Sequence, residues 1–167
     1  MSRKPEPLTA ELLERICELL QSESTLTLSV LTPAGQPHAT PVFYATGEGA
    51  GLAPLDLYWL SSESSLHSLA LAAHPAAASV AIHRPTFAWR EITGLQMRGH
   101  CSTVHGAERE AILPRYAERF QLGTVLSLAI HASTLYRFRP TWLRLVDNRV
   151  SFGWKAECEL VQPESGS

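Results

Sequence analysis

The chain has 167 residues, 45% of them hydrophobic and 18% charged, with a formal net charge of −2 and a pI near 6.4. A chain of this length buries roughly 70% of its unfolded surface as one domain, and its charge balance leaves no basic footprint for nucleic acid. No apolar run reaches the roughly 18 residues that a membrane-spanning helix needs.

The start, Met1-Ser-Arg-Lys-Pro-Glu-Pro7, carries positive charge with no apolar segment behind it, so a secretory signal is not expected and residues 1–7 read as a flexible tail. A helix is predicted from Thr9 to Gln21. Thr9 caps it, Leu8 and Leu13 stand at the two positions of a hydrophobic staple, and Glu11 lies in the favourable first turn. Leu12, Leu13, Ile16, Leu19 and Leu20 form one stripe, which needs a sheet to cover.

From Ser24 the period changes. Thr25 to Leu31 alternates as a strand, Thr32-Pro-Ala-Gly35 fits a type I turn, and His38 to Ala45 returns as a second strand. Pro41 cannot donate to a ladder, so that strand is expected on an edge, with a bulge, or facing something other than a neighbouring strand. A glycine-rich loop spans Gly47 to Pro54. Leu55, Leu57 and Trp59 then alternate with Asp56, Tyr58 and Leu60 as a third strand. It runs into a serine-rich elbow, Ser61-Ser-Glu-Ser-Ser65, and a short helix through Leu66, Leu69, Leu71 and Ala73 that Pro75 stops. Ser64 or Ser65 is positioned as its N-cap. Such an elbow points backbone N–H groups and hydroxyls at one spot, and the helix dipole favours an anion there.

Ala76 to Arg84 reads as a buried strand, Arg84 to Arg90 as an irregular link, and Glu91 to Val104 as a long strand. Thr93, Leu95, Met97 and Cys101 would share one face of it, with Gln96, Arg98 and His100 on the other; Gly94 and Gly99 predict bends or a close approach by another group. Ala107 to Phe120 is amphipathic through Ile112, Leu113, Tyr116 and Phe120, and Pro114 predicts a break or kink at Leu113. Residues Thr124 to Ala132 favour a short helix. Strands follow at Thr134–Arg139 and Trp142–Val146, then a hairpin through Asp147-Asn148 with Arg149 to Trp154 returning, and a polar tail from Val161.

These elements describe one mainly β (α+β) domain over residues 8–160: six to eight antiparallel strands forming a closed sheet, with an N-terminal helix and short helical insertions. Cys17, Cys101 and Cys158 are odd in number, widely spaced and without a Cys-x-x-Cys pair, which favours free thiols in a reducing compartment, by default the cytoplasm. The histidines and acids show no metal-ligand spacing, so no metal site is expected. No arrangement of histidine and acid identifies a nucleophile or a general acid–base, so catalytic residues stay unassigned.

The order of elements resembles the pyridoxamine-5′-phosphate-oxidase-like, flavin-binding split β-barrel superfamily, in particular its small bacterial branch. The resemblance covers roughly Leu12 to Leu160. Its signatures are Pro37-His-Ala-Thr-Pro-Val-Phe-Tyr44, Leu60-Ser-Ser-Glu-Ser-Ser-Leu-His67 with Leu69 and Pro75, Thr93-Gly-Leu-Gln-Met-Arg-Gly99, and Leu145-Val-Asp-Asn-Arg-Val-Ser-Phe-Gly-Trp-Lys155. The resemblance implies an antiparallel split β-barrel, a homodimer with flavin mononucleotide (FMN) at the subunit interface, and a flavin-dependent oxidoreductase acting on a small molecule; the charge balance and the short apolar runs give the expectation of no nucleic-acid or membrane partner.

It also implies a set of binding residues. Ser61, Ser65 and His67 correspond to the phosphate elbow; Pro41, Val42, Phe43 and Tyr44 border the isoalloxazine; Gln96 sits on the adjoining strand; Lys155 or Trp154 reaches across from the partner subunit. The residues themselves support part of this. Ser64, Ser65 and the helix N–H groups are neutral donors for a phosphate, and a protonated His67 is a charged one. Phe43, Tyr44, Trp59 and Gln96 offer a flat apolar slot with a polar edge. The family commonly places an arginine in the elbow where this chain has Leu66, which removes on the order of 1.5–3 kcal/mol, roughly tenfold to a hundredfold in affinity. A deazaflavin in place of FMN, or a non-catalytic flavin- or haem-binding sensor on the same scaffold, are the alternative readings.

Overall fold

The computed structural model describes residues 7–122, 130 and 132–160. The expected tail from Val161 and most of the segment 124–132 lie outside the described residues.

Helix α1 runs Ala10–Ser22, and the Thr9 side chain accepts a hydrogen bond from the Leu12 amide at 3.2 Å, as the cap reading predicts. Leu12, Ile16, Leu19 and Leu20 form its buried stripe. Strands β1 (Thr25–Leu31) and β2 (Pro37–Phe43) pair as a hairpin. Their turn closes by a 2.7 Å bond from the Gly35 amide to the Thr32 carbonyl, with Gly35 at φ +76°, a conformation glycine adopts without strain.

The remaining strands are β3 (Ala45–Thr46), β4 (Leu57–Ser61), β5 (Ala78–His83), β6 (Thr93–Val104), β7 (Thr134–Asp147) and β8 (Lys155–Glu159). All pair antiparallel, in the order β2-β1-β5-β6-β7-β4-β3, with β8 also on β7. Pro41 lies on the outermost strand, where its missing N–H weakens no second ladder, one of the three outcomes its position predicts. Strands β2 and β3, the two ends of this order, are separated in the chain by Tyr44 alone, so the sheet must curl until its edges meet. Along one side of β7 runs β6; along the other, β4 pairs with residues 134–138 and β8 with residues 142–146. The sheet is an α+β split barrel.

Inside the curl lie Leu57, Trp59, Leu95, Met97, Phe138, Leu143 and Leu145, closed on one side by Ile16 and Leu20 of α1. Helix α3 (Gly106–Arg119) covers the opposite face of β4, β6 and β7, burying Ile112 against Tyr58, Val104 and Leu135.

Three expectations are corrected. The segments 134–139 and 142–146 are one strand, because Pro140 sits opposite Gly99 at the register shift of β6, where the ladder is already interrupted. The return strand begins at Lys155 and not at Arg149. Residues 147–154 form a longer turn, closed by Asp147 N to Trp154 O at 3.1 Å and Trp154 N to Ser151 O at 3.0 Å. Helix α3 runs through Pro114 without the break that was one of its two expected outcomes; Pro114 and Glu110, whose carbonyl loses its partner, are both exposed and reach water.

Arg119, near the end of α3, caps α1. Its guanidinium donates to the carbonyls of Leu20 (3.3 Å), Gln21 (3.3 Å) and Glu23 (2.6 Å), the groups a helix C-terminus leaves without partners. Arg119→Met should remove this cap and lower stability by about 2 kcal/mol, a fall in melting temperature of about 4–8 °C by scanning calorimetry. No described helix is long and apolar enough to cross a membrane.

Candidate functional site

Strand β4 ends at Ser61, and helix α2 (Leu66–Ala73) begins one residue after its N-cap, Ser65. The Ser65 hydroxyl accepts from the Ser68 amide at 3.3 Å and donates to the Ser68 hydroxyl at 2.8 Å, which makes it the cap in preference to Ser64. A tight turn, Ser65 N to Ser62 O at 3.1 Å, folds the helix start back over the strand end. The turn brings the Ser61 hydroxyl to 3.0 Å from the Ser65 hydroxyl and 2.7 Å from His67 Nε2, with Ser65 Oγ 3.2 Å from the same nitrogen. Two hydroxyls and an imidazole therefore converge beside the N-terminus of α2. Ser64 is turned away: it is exposed and its hydroxyl pairs with that of Ser62 at 2.8 Å.

The electrostatics of this corner are mixed. Burial, and then the neighbouring His38, hold the His67 imidazole below its ordinary pKa, which favours its neutral form. A phosphate placed at Nε2 supplies the opposite charge and favours the imidazolium. Glu63 accepts from the Thr134 hydroxyl at 2.8 Å, which ties the elbow to β7 and sets a carboxylate on its outer side. Leu66, where the resemblance implies an arginine, is half exposed. His38 is an elbow neighbour that the period of β2 signals. His38, Thr40 and Val42 share its half-buried face, while Ala39, Pro41 and Phe43 are exposed.

The residues expected to border a flavin ring are dispersed. Pro41 and Phe43 point outward, with the Phe43 ring 5.1 Å from that of Phe120, and Val42 packs against the core. Tyr44 is a core residue and not a lining one. It is fully enclosed, its hydroxyl donates to the Leu20 carbonyl at 2.7 Å, and burial pushes its phenol well up. Trp59 is likewise enclosed, stacked 5.8 Å from Tyr136, with its Nε1 lacking a partner among the described residues.

Gln96 does not stand on a strand adjoining Pro41–Phe43: β2 pairs with β1 among the described residues, whereas Gln96 lies on β6 and accepts from Arg144 at 3.3 Å. Ser61 is in register with Thr134, Gln96 with Arg144 and Lys155 with Val146. Ten residues of strand span roughly 33 Å, so within one protomer neither Gln96 nor Lys155 meets the serine corner.

What does adjoin it is a groove of about 300 Å³ lined by Ser68, Leu71, Pro75, Cys101, Thr103 and Tyr136. Ser68 belongs to both. Burial pushes the Cys101 thiol up to about 12, so this wall is apolar and unreactive. Among the described residues, no group of three or more His, Cys, Asp or Glu is placed to hold a metal ion.

The donor set fits a phosphate monoester: two hydroxyls, an imidazole and a helix N-terminus converge on one point, beside an apolar groove. No protein-family model matches the chain, and no curated protein matches its sequence. Solved structures do. A haem-binding protein from Mycobacterium smegmatis matches over 95% of this chain at 20% identity and a TM-score of 0.69. A Clostridium acetobutylicum protein of the pyridoxinephosphate oxidase family covers 90% at 14% identity and 0.65, and an FAD-binding protein from Mesorhizobium loti covers 78% at 14% and 0.60. The chain has the fold of the pyridoxamine-5′-phosphate-oxidase-like split barrels. It spans 60% of the M. smegmatis protein and 61% of Campylobacter jejuni ChuZ, which it matches at 14% identity and a TM-score of 0.74. Within this fold the serine elbow is the end of β4 with the start of α2, and the groove lies between α2, β6 and β7.

Proposed function

We propose that two copies of this chain bind FMN at the serine elbow and act in the cytoplasm as a flavin-dependent oxidoreductase on a small molecule. The observation that carries this reading is the convergence of Ser61, Ser65 and His67 within 3.2 Å at the start of α2. A phosphate monoester brings about 1.5 to 2 negative charges and needs several donors when it leaves water. The FAD-binding neighbour supports a flavin on this scaffold, and three free cysteines support a reducing compartment. Ser61, Ser65 and His67 would hold the phosphate, and the groove beside Ser68 would receive an apolar edge of the flavin. Bound flavin supplies the hydride or electron transfer, while the protein binds and orients it.

The test is Ser65→Ala combined with His67→Ala. Two of the three convergent polar groups are lost, so flavin retention should fall by more than about tenfold, measured by equilibrium dialysis of FMN on protein whose circular dichroism is unchanged. Equal retention in the double variant removes the phosphate assignment.

A haem-binding reading has its own support: the M. smegmatis neighbour is a haem-binding protein, and His67 is biased to the neutral imidazole that ligates iron. Adding haem and FMN separately to the purified chain distinguishes the two, by a Soret band or by flavin absorption.

A further inference from the structure

Five large apolar side chains stand exposed on two touching loops far from the serine elbow. Phe87 is fully bare, and Trp89, Ile92, Val150 and Phe152 are each at least 44% exposed. Trp89 and Phe152 meet edge to face at 5.5 Å, which joins the loops into one aromatic shelf. Exposed apolar side chains that cluster beside polar groups often mark a binding surface.

The exposure is built in. Asn148 donates through Nδ2 to the Trp89 carbonyl at 2.7 Å and through its amide to the Ile92 carbonyl at 2.9 Å. Ala88 N to the Thr86 hydroxyl (3.0 Å) and Glu91 N to Ala88 O (2.9 Å) brace the first loop, and Gly153 N to Asn148 Oδ1 (3.0 Å) braces the second. A backbone held at so many points keeps its rings presented, which lowers the entropy lost when something binds.

Against Phe87 and Ile92 lies a cavity of about 580 Å³, whose other walls include His83, Arg84, Pro85 and Thr93. That volume falls within the range of small-molecule sites, and an apolar lining with a few polar groups is their usual composition. Arg84 is the cation of this wall. It is about half exposed, and its contact with Glu23 is loose, 3.4 Å from Nε to Oε1, with a 3.0 Å bond to the Ser22 hydroxyl. A better-placed carboxylate therefore competes for the guanidinium. The lining offers one guanidinium, Arg84, beside the bare ring of Phe87 and the apolar Pro85 and Ile92, which suits a small planar anion.

We propose that this cavity is a second ligand site, taking a planar aromatic carboxylate with its ring against Phe87 and its carboxylate on Arg84. The proposal does not rest on the flavin reading. Calorimetric titration of the full chain with 2-naphthoate tests it, with 2-naphthamide as the uncharged probe. Saturable naphthoate binding is expected, weakened about tenfold or more by Phe87→Ala or by Arg84→Gln and similarly weak for the amide. Phe87 is fully bare and Arg84 half exposed, so neither variant disturbs the core. Absence of saturable binding, equal affinity in Phe87→Ala, or equal affinity for the amide overturns the proposal. So does a change of molecular mass by light scattering in Phe87→Ala, which marks the shelf as a contact between copies.

Discussion

Asp147→Asn should lower the unfolding free energy by about 3 kcal/mol, the low end for removing one partner of a buried ion pair because both arginines keep some contact with water. The Asp147 side chain is 1% exposed and receives Arg15 at 2.7 Å and Arg149 at 2.7 Å, with the Arg149 amide at 3.0 Å. This carboxylate joins α1 to the turn after β7, so its loss unfastens the N-terminal helix from the sheet. Asparagine also turns an acceptor into a donor facing two guanidiniums. Burial alone would raise the Asp147 carboxyl, but the hydrogen bonds from Arg149 and Arg15 outweigh it and hold it well below the usual carboxylate range. A folded-state pKa below the unfolded value of about 3.9 means that this stabilisation is complete above that pH. It is lost as pH falls toward the folded value. Denaturant melts between about pH 5 and pH 2 should therefore show a steeper acid loss in the natural protein than in Asp147→Asn; parallel curves would mean the clasp contributes nothing.

Gly99→Ala should destabilise by a similar amount, about 3 kcal/mol, or prevent folding. A Cβ there would collide with the Arg139 carbonyl and come within 2.8 Å of the Pro140 Cα, backbone that cannot swing aside. Gly94→Ala is the control on the same strand: its Cβ would meet the Ile82 carbonyl at 3.4 Å, an ordinary contact, so the loss should be less than half as large. Urea melts of the two variants side by side decide this, and equal losses would show that the bulge tolerates a side chain.

Much of the fold is legible in the sequence because its signals are local. Thr9 capping α1, Gly35 closing the first hairpin, Ser65 before α2 and the alternation of Thr93, Leu95, Met97 and Cys101 are all settled within a few residues of themselves. The errors fall where distant chain decides. Residues 134–139 and 142–146 read as two strands until Gly99 is seen opposite Pro140. Asp147 looks like a turn residue until Arg15, far away in sequence, arrives beside it. The elbow itself was legible, since β4, turn and cap are consecutive. Its neighbours were not: His38 comes from β2, and the groove depends on β6 and β7. Tyr44, inside a motif that resembles a ring-binding segment, is instead the residue on which the chain steps between the two sheet edges.

The central claim is that the serine corner receives the phosphate of a flavin. A crystal structure of the chain grown with FMN tests it most directly. The account predicts phosphate oxygens within hydrogen-bonding distance of Ser61 Oγ, Ser65 Oγ and His67 Nε2, with Ser64 uninvolved. Flavin bound elsewhere with that corner still closed on its own hydrogen bonds would contradict it.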